Sequence, residues 1–336
     1  MNKDIIILAI ETSCDETAAA VVKNGKEILS NVVSSQINTH SKFGGVIPEV
    51  ASRLHTENIS LVIDEALTTA NIKNEDLDYI AVTYGPGLIG CLHVGLQAAK
   101  ALSLLCGIPL IGINHLAGHI YANNFVTELE FPLLALVVSG GHSELVYMEK
   151  DYQFEIIGST MDDAIGEAFD KTARLLNLGY PGGPIIDKLA KSGEAKYKFP
   201  QVKIKGKYDF SFSGLKSACF QLIKRLERNK EEYLVEDITS SFQESVLGLL
   251  LDKSLLALSD YPVKQFILAG GVAANSRLRE LIMDKIPTSF PKVKIVLPPL
   301  WCCTDNAAMI AACAYQAVKH GVSNDSSLKA DSSLTL

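Results

Sequence analysis

The sequence predicts an α/β protein made of two duplicated units. Apolar runs of strand length alternate with segments of helix length. The order strand, turn, strand, strand, helix, strand, helix, strand fills the first half and recurs, with an insertion, in the second. In each half the first strand runs into a small polar turn, at residues 11–17 and 139–143. Such a duplication is expected to put a ligand in the cleft between the halves, where the two turns face each other.

Taken in order, residues 5–10 form an apolar strand, 18–22 a second and 28–33 a third, completing a meander. Gly44, Gly45 and Pro48 punctuate the entry to a long helix that runs through Ala70. Residues 79–83 are the next strand, Gly85-Pro86-Gly87 a tight turn, 92–106 a helix and 110–113 a strand. The helix opening at Asn114 carries His115 and His119. The pattern then restarts with strands at 133–138, 145–148 and 155–158, and helices at 163–177 and 184–191. A lysine-rich insertion at about 195–210 precedes helices at 214–228 and 235–259. A strand at 266–269, a Gly270-Gly271 turn, a helix from Asn275, a strand at 293–297 and a helix at 306–319 close the series. The expected organisation is a lobe at 1–130 and a lobe at 131–322, with the last helix free to pack back on the first lobe. The Ser/Asp-rich residues 323–336 read as a disordered tail.

Composition excludes several classes. The chain has 336 residues, 48% of them hydrophobic, and a mean hydropathy of +0.19, enough for a substantial core. No apolar run reaches membrane-spanning length without interruption, and the N-terminus lacks the pattern of a signal peptide. Seven cysteines without a C-x-x-C pair argue against a disulfide framework or a thiolate zinc site, and point to a reducing cytoplasm. A net charge of −7 argues against general coating of nucleic acid, while leaving room for a local basic patch.

Several constellations carry chemistry. His115 and His119, four apart, stand one turn above the other on one helix face, so both imidazoles can address one ion. Taken alone, the spacing equally suits two polar helix residues. Asp305, in the stretch Trp301-Cys302-Cys303-Thr304-Asp305-Asn306, offers the carboxylate of a two-histidine, one-carboxylate set, or else an N-cap for the last helix. Ser139-Gly140-Gly141 follows a buried strand and can cradle an anion through backbone N–H groups, or be a plain hairpin turn. Glu11 and Asp15 can position a cation or water, or be solvated turn acids. Asp170 can accept from a ligand or pair with Arg174. The Gly182-Gly183 turn can admit a ligand or form a stiff corner. Asn275 can bond a sugar or base, or cap a helix.

Together these motifs resemble the TsaD family, the tRNA N6-adenosine threonylcarbamoyltransferases once described as glycoproteases. The residues that carry the resemblance are Ile10 to Thr17, Asn114-His115 with His119, Val138 to His142, Gly166 to Asp170, Pro181 to Pro184, Gly270 to Asn275 and Cys303 to Asn306. One departure is Ala117, where some relatives carry an acidic residue at a position that is no ligand. The resemblance implies an actin/Hsp70/sugar-kinase (RNase H-like) fold with duplicated lobes. It implies His115, His119 and Asp305 as ligands of one divalent ion, iron(II) with zinc as the alternative. It implies that Val137, Val138, Ser139, Gly140 and Gly141 hold the phosphate and carboxylate end of threonylcarbamoyl-AMP, and that Asp170, Gly183, Asp187 and Asn275 hold its nucleotide. The acceptor implied is N6 of the adenosine beside the anticodon in tRNAs reading ANN codons. The partners implied are a TsaB-like paralogue and a TsaE-like ATPase.

The competing readings are a metallopeptidase and an ATP-dependent kinase of the same fold. The first fails because Leu116 stands where H-E-x-x-H places its general base. The second leaves the histidine pair and Asp305 without a task. For tRNA, the sequence offers Lys196, Lys198, Lys203, Lys205 and Lys207, interleaved with Tyr197 and Phe199, as a local phosphate-binding stretch; a solvated lysine hairpin is the plainer reading.

Overall fold

The computed structural model describes residues 3–200 and 204–336, so Lys203 lies outside the described residues. The chain divides into two compact units. Unit 1 is Met1–Leu129 with Asp151–Gln153 and Pro298–Leu336, and unit 2 is Glu130–Lys150 with Phe154–Leu297.

Unit 1 begins with β1 (Ile6–Glu11), β2 (Glu16–Lys23) and β3 (Glu27–Ser35), then α1 (Ile37–His40) and α2 (Pro48–Ala70). Pro48 sits at the start of α2, where its missing N–H costs no bond, and Asn71 in the left-handed region ends it. β4 (Tyr79–Gly85), α3 (Ile89–Cys106), β5 (Leu110–Asn114) and α4 (His115–Tyr121) follow. The sheet order is β3-β2-β1-β4-β5, antiparallel across β3, β2 and β1 and parallel from β1 through β5. Alternation along β1 assigns its faces: Leu8 and Ile10 join a core with Val62, Ile63, Leu96 and Ala99 of α2 and α3.

Among the described residues one helix, α3, meets the length and composition of a membrane span, although Lys100 interrupts its apolar run, in line with the sequence reading. The 18 residues of α3 have a mean hydropathy of 1.4, with 28% of them buried. Its buried residues Cys91, Leu92, Gly95, Leu96 and Ala99 recur every three to four positions, the stripe of a helix laid on a sheet, while Leu104 and Leu105 remain 83% and 82% exposed.

Unit 2 repeats the plan with β6 (Leu133–Val138), β7 (Ser143–Met148), β8 (Glu155–Ser159), α5 (Ile165–Leu175), α6 (Gly182–Ala190), α7 (Ser213–Asn229), α8 (Val235–Asp260), β9 (Gln265–Ala269), α9 (Ser276–Ser289) and β10 (Lys294–Val296). The order β10-β9-β6-β7-β8, with antiparallel β6, β7 and β8 and parallel β6, β9 and β10, is the topology of unit 1 over again. The duplication expected from the sequence is therefore present in the sheets themselves. The lysine-rich insertion forms neither strand nor helix among the described residues from 191 to 212.

The chain then returns to unit 1 as α10 (Leu300–Cys303) and α11 (Ala307–Lys319). The second unit thus ends before Pro298, with the last helix grouped with unit 1, an arrangement that the sequence left open. The reason is composition: α11 buries a nearly unbroken run of small side chains, Ala307, Ala308, Ala311, Ala312 and Ala314 among them, against β1 and β2. The final residues also depart from expectation. Instead of a disordered tail they lie along unit 1. Asn324 bridges antiparallel to Leu110 and accepts from Gly112 N at 2.7 Å, Asp331 N donates to Tyr84 O at 2.8 Å, and Asn114 Nδ2 donates to Thr335 O at 3.1 Å. Gly112 makes room for this: a Cβ there would stand 2.7 Å from Leu328.

Candidate metal centre and substrate cavity

The histidine helix is positioned by its own cap. Asn114 closes β5, and its side-chain oxygen accepts from the N–H groups of Leu116 at 2.8 Å and Ala117 at 3.3 Å, which starts α4 at His115. Gly118, between the two histidines, faces α11 so closely that a Cβ would meet Ile310 at 2.7 Å. That approach brings the segment before α11 onto the histidines. There the N-cap is Asn306, whose side chain accepts from Met309 N at 3.0 Å, not Asp305. Asp305 is released from capping and turned to the imidazoles.

Asp305 Oδ1 lies 3.4 Å from His115 Nε2 and 3.1 Å from His119 Nε2. The two rings stand at 87° with centroids 4.7 Å apart. One donor atom from each of the three residues falls within 4.8 Å of the others. His115 and His119 are buried, and Asp305 exposes 22% of its side chain, so the group is reached from one side. On the far side of His115, Nδ1 donates to Glu11 Oε2 at 2.9 Å. Glu11 is fully buried and also accepts from Ser13 N and Thr83 Oγ1, each at 2.5 Å.

The electrostatics follow from this packing. Burial opposes charge on His115, yet Glu11 and Asp305 on either side outweigh it and hold its pKa well above the ordinary value. Burial also works against charge on Asp305 and Glu11, and the neighbouring His115 reverses it, keeping both carboxyls below their usual range. Burial lowers His119, whose Nδ1 is enclosed without a partner among the described residues. Asp15, half-enclosed nearby, is raised first by burial and then by the charge of Asp305. Two converging imidazole nitrogens, one carboxylate oxygen and a surplus of negative charge suit a divalent cation. The residues present fit an ion.

In unit 2, the predicted residues Gly140, Asp170, Gly183, Asp187 and Asn275 line a single cavity of about 350 Å³. Its polar walls are pinned from behind. Asp170 Oδ1 accepts from Gly182 N at 2.7 Å, and Asp187 accepts from Ser276 N at 3.1 Å and its hydroxyl at 3.0 Å. Asn275 caps α9 by accepting from Leu278 N at 2.9 Å, and donates to Gln243 at 2.9 Å. Asn275 thus caps α9 while also lining the cavity. Val137 and Val138 do not line the cavity; as buried members of β6 they send their side chains into the sheet. Ser139 and Gly141 belong to the turn, where Ser139 Oγ accepts from His142 N at 3.1 Å.

Three glycines of this wall, Gly140, Gly183 and Gly271, have nothing within 4 Å of an added Cβ and no left-handed backbone that would demand glycine. Neither packing nor conformation accounts for them, whereas an occupant lying flat against bare backbone would. The sequence reading missed Lys188 and Lys191, which also line the cavity. Their signal was their spacing, one and four residues beyond Asp187 at the end of α6.

The lysine-rich stretch is less of a patch than its composition promised. Lys196 is engaged by Asp237 at 2.8 Å and Lys207 by Asp260 at 2.7 Å, while Phe199 packs edge-on against Phe242. Lys198 and Lys205 remain exposed.

Among solved structures, HypF of T. kodakarensis is 15% identical and superposes with a TM-score of 0.64 over 94% of this chain and 48% of that one. Component A of the (R)-2-hydroxyglutaryl-CoA dehydratase of Acidaminococcus fermentans is 18% identical, with a TM-score of 0.54 over 94% of this chain and 99% of that one. These likenesses place the chain in the fold class of duplicated actin/Hsp70-like units.

The sequence defines it further. The profile of the TsaD family, tRNA N6-adenosine threonylcarbamoyltransferase, matches residues 27–312. The tRNA N6-adenosine threonylcarbamoyltransferase of Geobacillus thermodenitrificans is 55% identical over 100% of this chain and 98% of its own. That of Listeria monocytogenes serotype 4b is 56% identical over 93% and 91%. The chain belongs to the tRNA N6-adenosine threonylcarbamoyltransferase family and is an enzyme of the transferase class. The kinase alternative is not favoured by these relatives.

Proposed function

We propose that the chain transfers the threonylcarbamoyl group of threonylcarbamoyl-AMP to N6 of the adenosine 3′ of the anticodon in tRNAs reading ANN codons. The observation that carries the metal-assisted form of this reading is the buried convergence of His115, His119 and Asp305. Iron(II), with zinc as the alternative, is the ion proposed for that set. When bound, a divalent ion supplies Lewis-acid polarisation of a carbonyl oxygen, worth several kcal/mol.

The rest of the work falls to the chain's own residues. The donor is a mixed anhydride and needs no nucleophilic triad. Ser139, Gly140 and Gly141, joined by the backbone of Val137 and Val138, are assigned to its phosphate and carboxylate end. Asp170, Gly183, Asp187 and Asn275 are assigned to the nucleoside, and the bare faces of Gly183 and Gly271 support a flat base. Lys188 and Lys191 add positive charge that complements a phosphate. Held in this way, the carbonyl carbon forms a bond to N6, its bond to the phosphate oxygen breaks, AMP departs, and N6 gives up one proton.

A net charge of −7 with only scattered exposed lysines supports tRNA binding shared with partners, for which a TsaB-like paralogue and a TsaE-like ATPase are proposed. The exposed leucines of α3 are in keeping with a protein partner rather than a membrane. The seven cysteines are free thiols, in keeping with a reducing cytoplasm.

The test is a transfer assay with synthetic threonylcarbamoyl-AMP, unmodified tRNA of the ANN-decoding class and both partners. Modified adenosine is expected, and is expected to disappear on chelation and in Asp305→Ala. Undiminished product after complete metal removal would remove the ion from the chemistry. Phosphorylation of a small substrate from ATP, with no modified tRNA, would replace the proposal with a kinase.

A further inference from the structure

We propose that Glu11 is the positioning residue of the ligand His115, setting its tautomer and ring orientation so that Nε2 presents a lone pair to the ion. The inference rests on the reading of His115, His119 and Asp305 as a metal set. Glu11 is the last residue of β1 and fully buried, so its orientation is fixed by the sheet and not by solvent.

Its acceptors are arranged for one purpose. Ser13 N donates to Oε1, and Thr83 Oγ1 donates to Oε2, which leaves Oε2 aimed at His115 Nδ1, 2.9 Å away. An ionised carboxylate only accepts, so the proton of a neutral His115 must sit on Nδ1. Nε2, the nitrogen that faces Asp305 at 3.4 Å, is then free to bind. Ser13 Oγ, 3.2 Å from the same Nδ1, has a hydroxyl that can turn to either tautomer and so does not choose between them. His119 has no such support: its Nδ1 is enclosed without a partner among the described residues. One ligand of the pair is thus anchored from behind and the other is not.

Glu11→Gln isolates the point. If the amide oxygen replaces Oε1, the NH₂ faces His115 Nδ1 and drives the proton to Nε2, where the ion should bind. If the oxygen replaces Oε2, the NH₂ meets Ser13 N–H, donor against donor. Either way the arrangement fails without loss of volume.

The experiment titrates the metal-free chain with Co²⁺, followed by its visible absorption, alongside thermal unfolding of the metal-free form. Wild type should bind saturably. Glu11→Gln, unfolding at the wild-type midpoint, should bind about 10–100-fold more weakly. Wild-type affinity in the folded variant would overturn the positioning role while leaving the metal reading intact. Failure of wild type itself to bind would overturn both. Should Glu11→Gln not fold, Thr83→Val decides: it keeps the carboxylate but removes the hydroxyl that aims it. Severalfold weaker binding supports the role, and unchanged binding overturns it.

Discussion

Gly166 is the second residue of α5, and its N–H donates to Ser139 O at 3.2 Å, so the helix start and the Ser139–Gly141 turn are in direct contact. A Cβ added at Gly166 would stand 2.7 Å from Ser139 O and 2.8 Å from Gly140 Cα, both backbone atoms that cannot rotate away. Restoring ordinary contact at 3.4 Å requires the turn to retreat by about 0.7 Å. Overpacking of this kind costs about 1–3 kcal/mol. The helix propensity gained by alanine returns at most about 1 kcal/mol, and less in a first turn. The net expectation for Gly166→Ala is a loss of about 1–2 kcal/mol, or roughly 3–6 °C in the unfolding midpoint of a unit this size. The larger effect is on the substrate: a shift approaching 1 Å in a positioning element costs up to about 100-fold. KM for threonylcarbamoyl-AMP should rise at least about tenfold in a steady-state transfer assay. Co²⁺ affinity, which belongs to unit 1, should not change. A variant with wild-type unfolding and wild-type KM would refute the assignment of the Ser139–Gly141 turn to the donor.

Three other perturbations follow from the same geometry. The Glu144 carboxyl, with Oε2 buried and without a partner among the described residues, is pushed up to about 7 by burial, from 4.5 in the open chain. The folded form therefore binds the extra proton between those values, and stability should fall as pH rises through that window. Glu144→Gln should match wild type near pH 4.5 and exceed it by about 1–3 kcal/mol above pH 7 in urea titrations, and equal curves at both ends would count against the burial argument. Asn306→Ala, losing the cap on Met309 N, should cost about 1 kcal/mol and also weaken Co²⁺ binding, because Asp305 is the preceding residue. Unchanged metal affinity would uncouple the cap from the ligand. Removal of residues 323–336 should accelerate amide exchange at Gly112, whose N–H donates to Asn324 at 2.7 Å, and unaltered protection would show that this bond contributes nothing.

Most of the fold was legible because the strands of both sheets are contiguous apolar runs bounded by polar or glycine turns. The 133–138 strand was found to the residue for this reason. What could not be read depends on partners distant in sequence. The tail has the composition of a disordered segment, and partners more than 200 residues earlier, Tyr84, Leu110, Gly112 and Asn114 among them, give it a place. At the metal centre, spacing proposed His115 and His119, but Asp305 stood in doubt between ligand and cap. Asn306, one position on, resolved it by taking the cap. Glu11 looked like a turn acid, since nothing local reveals that a β-strand end will bury it beside a histidine 104 positions away. Lys196 and Lys207 read as free cations until Asp237 and Asp260 were seen beside them.

Unit 1 is assembled from pieces at both ends of the chain, with nearly all of unit 2 lying between them in sequence. Two of the three candidate ligands are present once the chain has been synthesised through His119, and the third comes 186 residues later. During synthesis the sheet of unit 2 can close on itself while β1 and β2 still lack the helix that covers them. The polypeptide therefore gains the complete candidate ion site only in the last stretch of translation, after a long-range closure. A chain interrupted between His119 and Asp305 carries both histidines and cannot complete the set. Ion retention at the proposed site would in this sense be a record that synthesis and folding were both finished.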